Sequence, residues 1–351
     1  MKIGVFCERD NQQAIELRQC INTLAPGSCT QFVFPLDGSP EVAIDETGVY
    51  WDGTNVSQLD IAYIHGFSYT YPVVPAPLGN VDWSVWQVGH VLEQQGFSFL
   101  LSAFMEMERH GVKLLNPTRV YVKNFTKADL LEDLRQAGFP APRLVCTNDT
   151  DTTKSFIEEV DADKVVWRPA TGRATWQLFR DRQREHLISA EKPPILLAEV
   201  VEGPLIRSYL IDGQPLLYLE RYPPDCIANP GAGMFGTETL ERFQALECAD
   251  VSGELRRLVS HLSLHWGQIS FVLRDGRPWI YDVDPDPMFE WLPELFSQTL
   301  TEGLASRLLD IDAPASSKPL SDCPQERPTL FLRRMLYSLF ELEHKKYSKE
   351  P

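Results

Sequence analysis

Apolar residues gather first at positions 2–7, and over 11–24 Ala14, Ile15, Leu17, Ile21 and Leu24 recur at close to the period of a helix. A strand followed by a helix opens an α/β unit. Further strands are predicted over 31–36 and 61–65, a helix over 83–95, a short strand over 98–101, a helix over 103–110 and a strand over 112–115. This alternation predicts a layered sheet domain over residues 1–115, with His65 and Gly66 at the strand carboxyl ends where such sheets bind ligands, although a lone histidine there is more often an ordinary loop residue.

Asn116-Pro117 begins a second region. Thr126 with Asp129 three residues later resembles a capping box, Leu130, Leu131, Leu134 and Ala137 form an apolar helix face, and Gly138 ends it. Lys127 falls in the first turn, where it opposes the helix dipole. It is either a solvated side chain tolerated at a cost of about 0.3–1 kcal/mol, or the partner of an anion such as phosphate. Residues 164–169 read as a strand carrying Arg168, and the polar turn 170–175 around Gly172 is a weak phosphate loop.

An apolar strand is predicted over 195–201, and 205–211 with 215–222 form a hairpin across Asp212-Gly213. Arg207 and Arg221 lie on those strands, and a buried guanidinium there needs an acid or a ligand. A helix over 255–264 leads to a second hairpin, in which 266–273 and the run from Arg277 flank Asp275-Gly276. That hairpin ends in Asp282 and Asp284, which the two-residue strand repeat places on one face. They are either two solvated surface acids or, because unshielded carboxylates repel, a site for a hard cation such as magnesium carrying nucleotide phosphates. Helices are predicted over 295–309 and 331–346, with a linker over 313–327.

Composition narrows the function classes. A chain of 351 residues with 43% hydrophobic and 23% charged residues is long enough for two or three ordinary globular domains. No apolar run reaches membrane-spanning length and the start lacks a secretory signal, so a cytoplasmic protein without membrane contact is expected. Seven cysteines without Cys-x-x-Cys spacing indicate neither a disulfide framework nor a zinc site. The net charge of −16 argues against a nucleic-acid partner. Arg168, Arg173, Arg180, Arg182 and Arg184 form a local basic segment, of which 180–184 reads as a solvated loop.

The order of these features resembles the ATP-grasp superfamily, closest to carboxylate–amine ligases related to ribosomal-protein glutamate ligases and glutathione synthetases. The resemblance covers about residues 1–312, and 127–142, 198–221 and 267–294 carry it best. It implies an α/β (α+β) fold with an N-terminal parallel-sheet domain at 1–115, a lid subdomain at 116–194, a C-terminal subdomain with the metal site at 195–312, and a linker and helix at 313–351. It also implies ATP and Mg2+ as cofactors, with small-molecule or peptide carboxylates and amines as substrates. Homo-oligomerisation stays open.

By the same resemblance Lys127 and Arg168 contact ATP phosphates, and the turn with Gly172 closes on the nucleotide. Glu199, Val200 and Val201 lie at the adenine hinge and Glu202 near the ribose. Arg207 and Arg221 hold the acyl phosphate or acceptor, Asp282 and Asp284 hold magnesium, and Asn229 lies on a substrate loop. Arg168 stands where the family has lysine, and Gln268-Ile269-Ser270-Phe271 replaces a segment with an aspartate ligand. The expected activity is amide or peptide-bond formation through an acyl phosphate. The alternatives are a degenerate ATP-grasp protein that binds nucleotide or a peptide without turnover, and a phosphoryl transferase on the same scaffold.

Overall fold

Ile3, Gly4, Val5, Phe6 and Cys7 are all buried, as a strand covered on both faces requires, and they form β1 (Ile3–Cys7). The structure is a computed structural model that describes residues 1–35, 40–67, 83–170, 176–179, 194–222, 242–245, 251–290 and 292–310. In α1 (Gln12–Leu24) the Asn11 side chain accepts from the Ala14 N–H, which fixes the helix start. Beyond α1, β2 (Cys29–Val33) pairs parallel with one side of β1. The strands β3 (Val42–Asp45), β4 (Gly48–Trp51) and β5 (Thr54–Asn55) form a small antiparallel sheet that the hydrophobic pattern did not predict. β6 (Ile61–Ile64) pairs parallel with the other side of β1, and β7 (Lys113–Leu114) completes the order β2-β1-β6-β7.

The expected strand at 98–101 does not exist. One helix, α2 (Trp83–Arg109), runs through it. Phe97, Leu100, Leu101, Phe104 and Met107 follow helical spacing and pack into one apolar cluster with Phe6 and Ala62. Read locally, Phe97 to Leu101 is merely a short apolar run, and period decides only when the window is long.

α3 (Thr118–Lys123) and α4 (Lys127–Gln136) follow. The expected capping box does not form: Thr126 makes no side-chain cap bond, and Asp129 instead takes the Lys123 ammonium at 2.9 Å. Gly138, at φ +79°, ends α4 as expected. The second sheet is antiparallel, ordered β10-β9-β11-β8, from β8 (Leu144–Thr147), β9 (Val165–Pro169), β10 (Gln177–Leu178) and β11 (Ile195–Glu199), with α5 (Thr150–Val160) packed on it. This sheet extends to Glu199, beyond residue 194.

The third sheet contains β12 (Leu205–Ile211), β13 (Gln214–Tyr222), β14 (Arg242–Ala245), β15 (Trp266–Arg274) and β16 (Arg277–Asp284), in the order β14-β13-β12-β15-β16. Both Asp-Gly hairpin turns are present, with φ of 47° and 76° at Asp212 and Gly213 and 52° and 71° at Asp275 and Gly276. α6 (Ser252–Leu262) covers one face, where Leu255 and Leu258 join Ile269 and Ile280. α7 (Glu294–Leu309) covers the other and also packs on α1, so one cluster joins Leu17, Ile21, Leu217, Trp266, Leu300 and Leu304. The first and third sheets therefore share a core. No helix among the described residues is long and apolar enough to cross a membrane.

Candidate active site

Three segments far apart in sequence meet near the end of β16. Pairing of β16 with β15 slips there: Ser270 faces Asp282 while Phe271 faces Ile280, which leaves Tyr281 as an extra residue. Such a bulge re-aims side chains. Asp282 points to Lys127 at the start of α4, whose Nζ donates to its Oδ1 at 2.7 Å and to the Val283 carbonyl at 2.6 Å. The other oxygen, Oδ2, accepts from Nη1 of Arg168 on β9 at 3.2 Å. Lys127 and Arg168 are each only 1% exposed, against 22% for Asp282. Lys127 is thus not a solvated surface lysine, and the negative charge of Asp282 offsets its conflict with the helix dipole. Burial pushes the Asp282 pKa up, but Lys127 and then Arg168 outweigh it and hold the carboxyl at about 2.

Strand register extends this point into a row. Arg207 lies level with Ser270 and Asp282, and Tyr209 level with Gln268 and Asp284, on one face of the sheet. Arg207 is half-buried. Oδ1 of Asp284 accepts from the backbone N–H of Asp286 at 3.0 Å, and Gln268 Nε2 donates to Ser270 Oγ at 2.9 Å. The two carboxylates do share a face, but their repulsion does not by itself call for a metal. Asp282 already has two protein cations and Asp284 a backbone donor. Among the described residues no three acids, histidines or cysteines are grouped as a metal cage. Two carboxylates without a third fit a magnesium ion that arrives on nucleotide phosphates and keeps several waters, and do not fit a dedicated all-protein site.

The segment after β11 contains the residues matched to a nucleotide hinge. The Tyr281 hydroxyl accepts from the Val201 N–H at 2.7 Å and donates to the Glu199 carbonyl at 2.7 Å. Val200 N–H is taken by the Lys164 carbonyl at 2.8 Å, and the Glu199 side chain accepts from Arg143 N–H at 3.1 Å. Glu202 is exposed and lies 3.7 Å from Lys164. Trp176 closes over this corner: its indole N–H donates to the Tyr281 carbonyl at 3.2 Å, and the Arg168 guanidinium sits 5.6 Å from its ring centroid. Gly203, at φ +147°, leaves the hinge beside β15, where a Cβ would lie 2.5 Å from the Leu273 carbonyl oxygen.

A second polar group braces the site from the N-terminal sheet. His65 is no ordinary loop histidine: it is 1% exposed, and its Nδ1 lies 2.6 Å from Oδ1 of the equally buried Asp286. The Gly66 N–H donates to the other Asp286 oxygen at 2.8 Å. Fully buried Asn116 donates to the carbonyls of Trp266 and Pro285 and accepts from the N–H groups of His265 and Trp266, tying the start of β15 to the end of β16. Gln13 accepts from the Phe289 N–H at 2.8 Å. Asp284 thus ends a strand whose exit is held by buried bonds to α1 and the first sheet.

The structure therefore brings together Lys127, Arg168 and Asp282, with Asp284 and Arg207 beside them on the sheet. It places Glu199 to Glu202 at a corner linked to them through Tyr281 and Trp176. Gly172 and Asn229 lie outside the described residues, as do Arg173, Arg180, Arg182 and Arg184. Arg221 pairs through its backbone with Phe243, and its side chain is likewise outside them. The sequence reading missed Tyr281, Trp176 and Asp286. Tyr281 in particular has the polarity and place of an ordinary strand residue, and only the bulge turns it to the hinge.

No family model and no curated protein matches the chain in sequence. Solved structures do match its fold. The ATP-grasp ligase PsnB, complexed with minimal precursor, Mg and ADP, superimposes with a TM-score of 0.69 at 20% identity, over 88% of this chain and 96% of its own. The macrocyclase MdnC of Microcystis aeruginosa MRC, bound to precursor peptide MdnA, gives 0.65 at 14% identity over 88% and 100%. A Chryseobacterium gregarium RiPP-associated ATP-grasp ligase, in complex with ADP and a leader and core peptide, gives 0.63 at 13% identity over 93% and 100%. The chain has the ATP-grasp fold.

Proposed function

We propose that this chain is an ATP-dependent carboxylate–amine ligase acting on a peptide through an acyl phosphate. The observation that carries the reading is the convergence of Lys127 and Arg168, from separate elements, on Asp282 beside Asp284. Two buried cations held by one carboxylate form a ready-made site for an anion of several charges, since phosphate oxygens can take over both partners. The likeness in fold to ligases solved with ADP and precursor peptides supports the choice of nucleotide and substrate class.

In this reading ATP supplies the phosphoryl group, and Asp282 and Asp284 would hold magnesium, which would supply charge neutralisation at the phosphates. Lys127 and Arg168 exchange Asp282 for phosphate oxygens and orient them for in-line attack by the substrate carboxylate. Arg207, level with Ser270 and Asp282, steadies the acyl phosphate or the entering acceptor, a role shared with Arg221. Glu199, Val200 and Val201 receive the adenine and Glu202 the ribose. Gly172 belongs to the closing turn and Asn229 to the substrate side. The residues fall into an N-terminal domain, a lid and a C-terminal subdomain. A cytoplasmic setting is part of the proposal and agrees with the free thiols of Cys7, Cys20, Cys29 and Cys146.

A second reading, a degenerate protein that binds without turnover, is favoured by one specific observation. Both Asp282 oxygens are occupied by protein donors, and Ser270 faces it where an acidic ligand would strengthen a metal site. ADP release in the presence of magnesium, measured across a panel of peptide carboxylates and amine acceptors, separates the two. Release that depends on the acceptor supports a ligase. ATP binding with no turnover across the panel supports the degenerate protein, and phosphate transfer without amide formation supports a kinase-like enzyme.

A further inference from the structure

Tyr281 and Asp282 are consecutive residues that occupy both poles of the site just proposed. At one pole a carboxylate binds the two cations, as a phosphate would. At the other, one hydroxyl satisfies an N–H and a carbonyl two residues apart, at Val201 and Glu199. That donor and acceptor pair is complementary to the edge of adenine, which offers a ring-nitrogen acceptor beside an amino donor. It is mismatched to guanine, which offers N–H and carbonyl in the reverse sense. Tyr281 is also 1% exposed and packs among Val166, Ala198, Val201, Leu205 and Val272, so its ring fills the apolar space next to that pair. The bulge makes this dual occupancy geometrically feasible, because the extra residue lets neighbouring side chains both reach towards β9 and β11.

We propose that Tyr281 is the residue that sets nucleotide affinity and base selectivity, by holding the adenine edge of the hinge until a nucleotide displaces it. The proposal rests on the nucleotide reading of this site. Adenine must displace the hydroxyl from both backbone groups and the ring from its apolar seat, so the state competent to seat that base is a fraction of the population and the apparent affinity for ATP falls by that fraction. The Trp176 indole on the Tyr281 carbonyl keeps this strand segment in place.

The test is calorimetric titration of the full chain with MgATP, MgGTP and inorganic tripolyphosphate, for the wild type, Tyr281→Leu and Tyr281→Phe. Tyr281→Leu opens both the hydrogen-bonding edge and part of the seat, and it is expected to bind MgATP about tenfold more tightly while MgGTP and tripolyphosphate are unchanged. Tyr281→Phe keeps the ring and therefore the packing, and its gain for MgATP is expected to be about threefold. Thermal melts establish that each variant is folded, and Tyr281→Phe carries the test if Tyr281→Leu is not. MgATP binding that is no tighter in the folded variants than in the wild type overturns the role of Tyr281 and leaves the nucleotide reading intact. Absence of binding of MgATP and of tripolyphosphate to all of them overturns both.

Discussion

Replacing Asp282 with asparagine takes one negative charge from between two buried cations. Lys127 and Arg168 are each 1% exposed, so neither can turn to water when its partner is lost. Asparagine preserves the shape, yet its amide N–H would face donors of Lys127 or Arg168. Removing one partner from a buried ion pair costs about 3–5 kcal/mol. For a protein of 351 residues that corresponds to a fall of roughly 4–7 °C in Tm, followed by circular dichroism at neutral pH. Lys127→Met leaves Asp282 with Arg168 and is expected to cost less, about 1–3 kcal/mol. The double variant should then lose less than the two single losses combined, by at least about 1 kcal/mol, because its members share one site. Inorganic phosphate should raise the Tm of Asp282→Asn more than that of the wild type, by offering the freed cations a new anion. A Tm for Asp282→Asn within about 2 °C of the wild type, or strictly additive losses, would refute the reasoning.

Acid should expose the same ion group. Asp282 titrates at about 2 in the fold against 3.8 for a free carboxyl, so its contribution of about 2 kcal/mol is complete above 3.8 and is lost as pH falls towards about 2. Acid unfolding curves of Asp282→Asn should be flatter than those of the wild type in that window, and parallel curves would contradict the assignment. Asp286→Asn weakens the buried contacts to His65 and Gly66 and is expected to lower stability by about 2–4 kcal/mol in urea unfolding, with a loss below about 1 kcal/mol counting against the brace. Gly203→Ala forces a Cβ to within 2.5 Å of the Leu273 carbonyl oxygen at a φ of +147°, and a loss of about 2–4 kcal/mol is expected in the same assay. An unchanged midpoint would show that the hinge exit is not tightly packed.

Much of this architecture is legible in the chain because its strands are strongly patterned. Leu205–Ile211 is bounded by the very residues expected, and both Asp-Gly turns announce their hairpins through residues that tolerate positive φ. The convergence of Lys127 and Asp282 was also foreseeable: a lysine at a helix start and an acid at the end of an apolar strand each lack a local partner. Other features depend on long range and were not legible. Ser98 to Leu101 looks like a strand until its place in a 27-residue helix supplies the period. Thr126 makes no cap bond and Asp129 pairs with Lys123 instead, an outcome that spacing cannot rank. The reach of Tyr281 to the hinge depends on a one-residue slip between β15 and β16, which leaves no mark on the hydrophobic pattern. The burial of His65 depends on Asp286, 221 positions away.

The most direct measurement is a crystal structure of the chain with a non-hydrolysable ATP analogue and magnesium. The expected density places the phosphates between Lys127 and Arg168, a metal at Asp282 and Asp284, and the base on the Val201 N–H and Glu199 carbonyl with the Tyr281 hydroxyl turned away. A nucleotide bound elsewhere, with Lys127 and Arg168 still closed on Asp282, would contradict the assignment of this site.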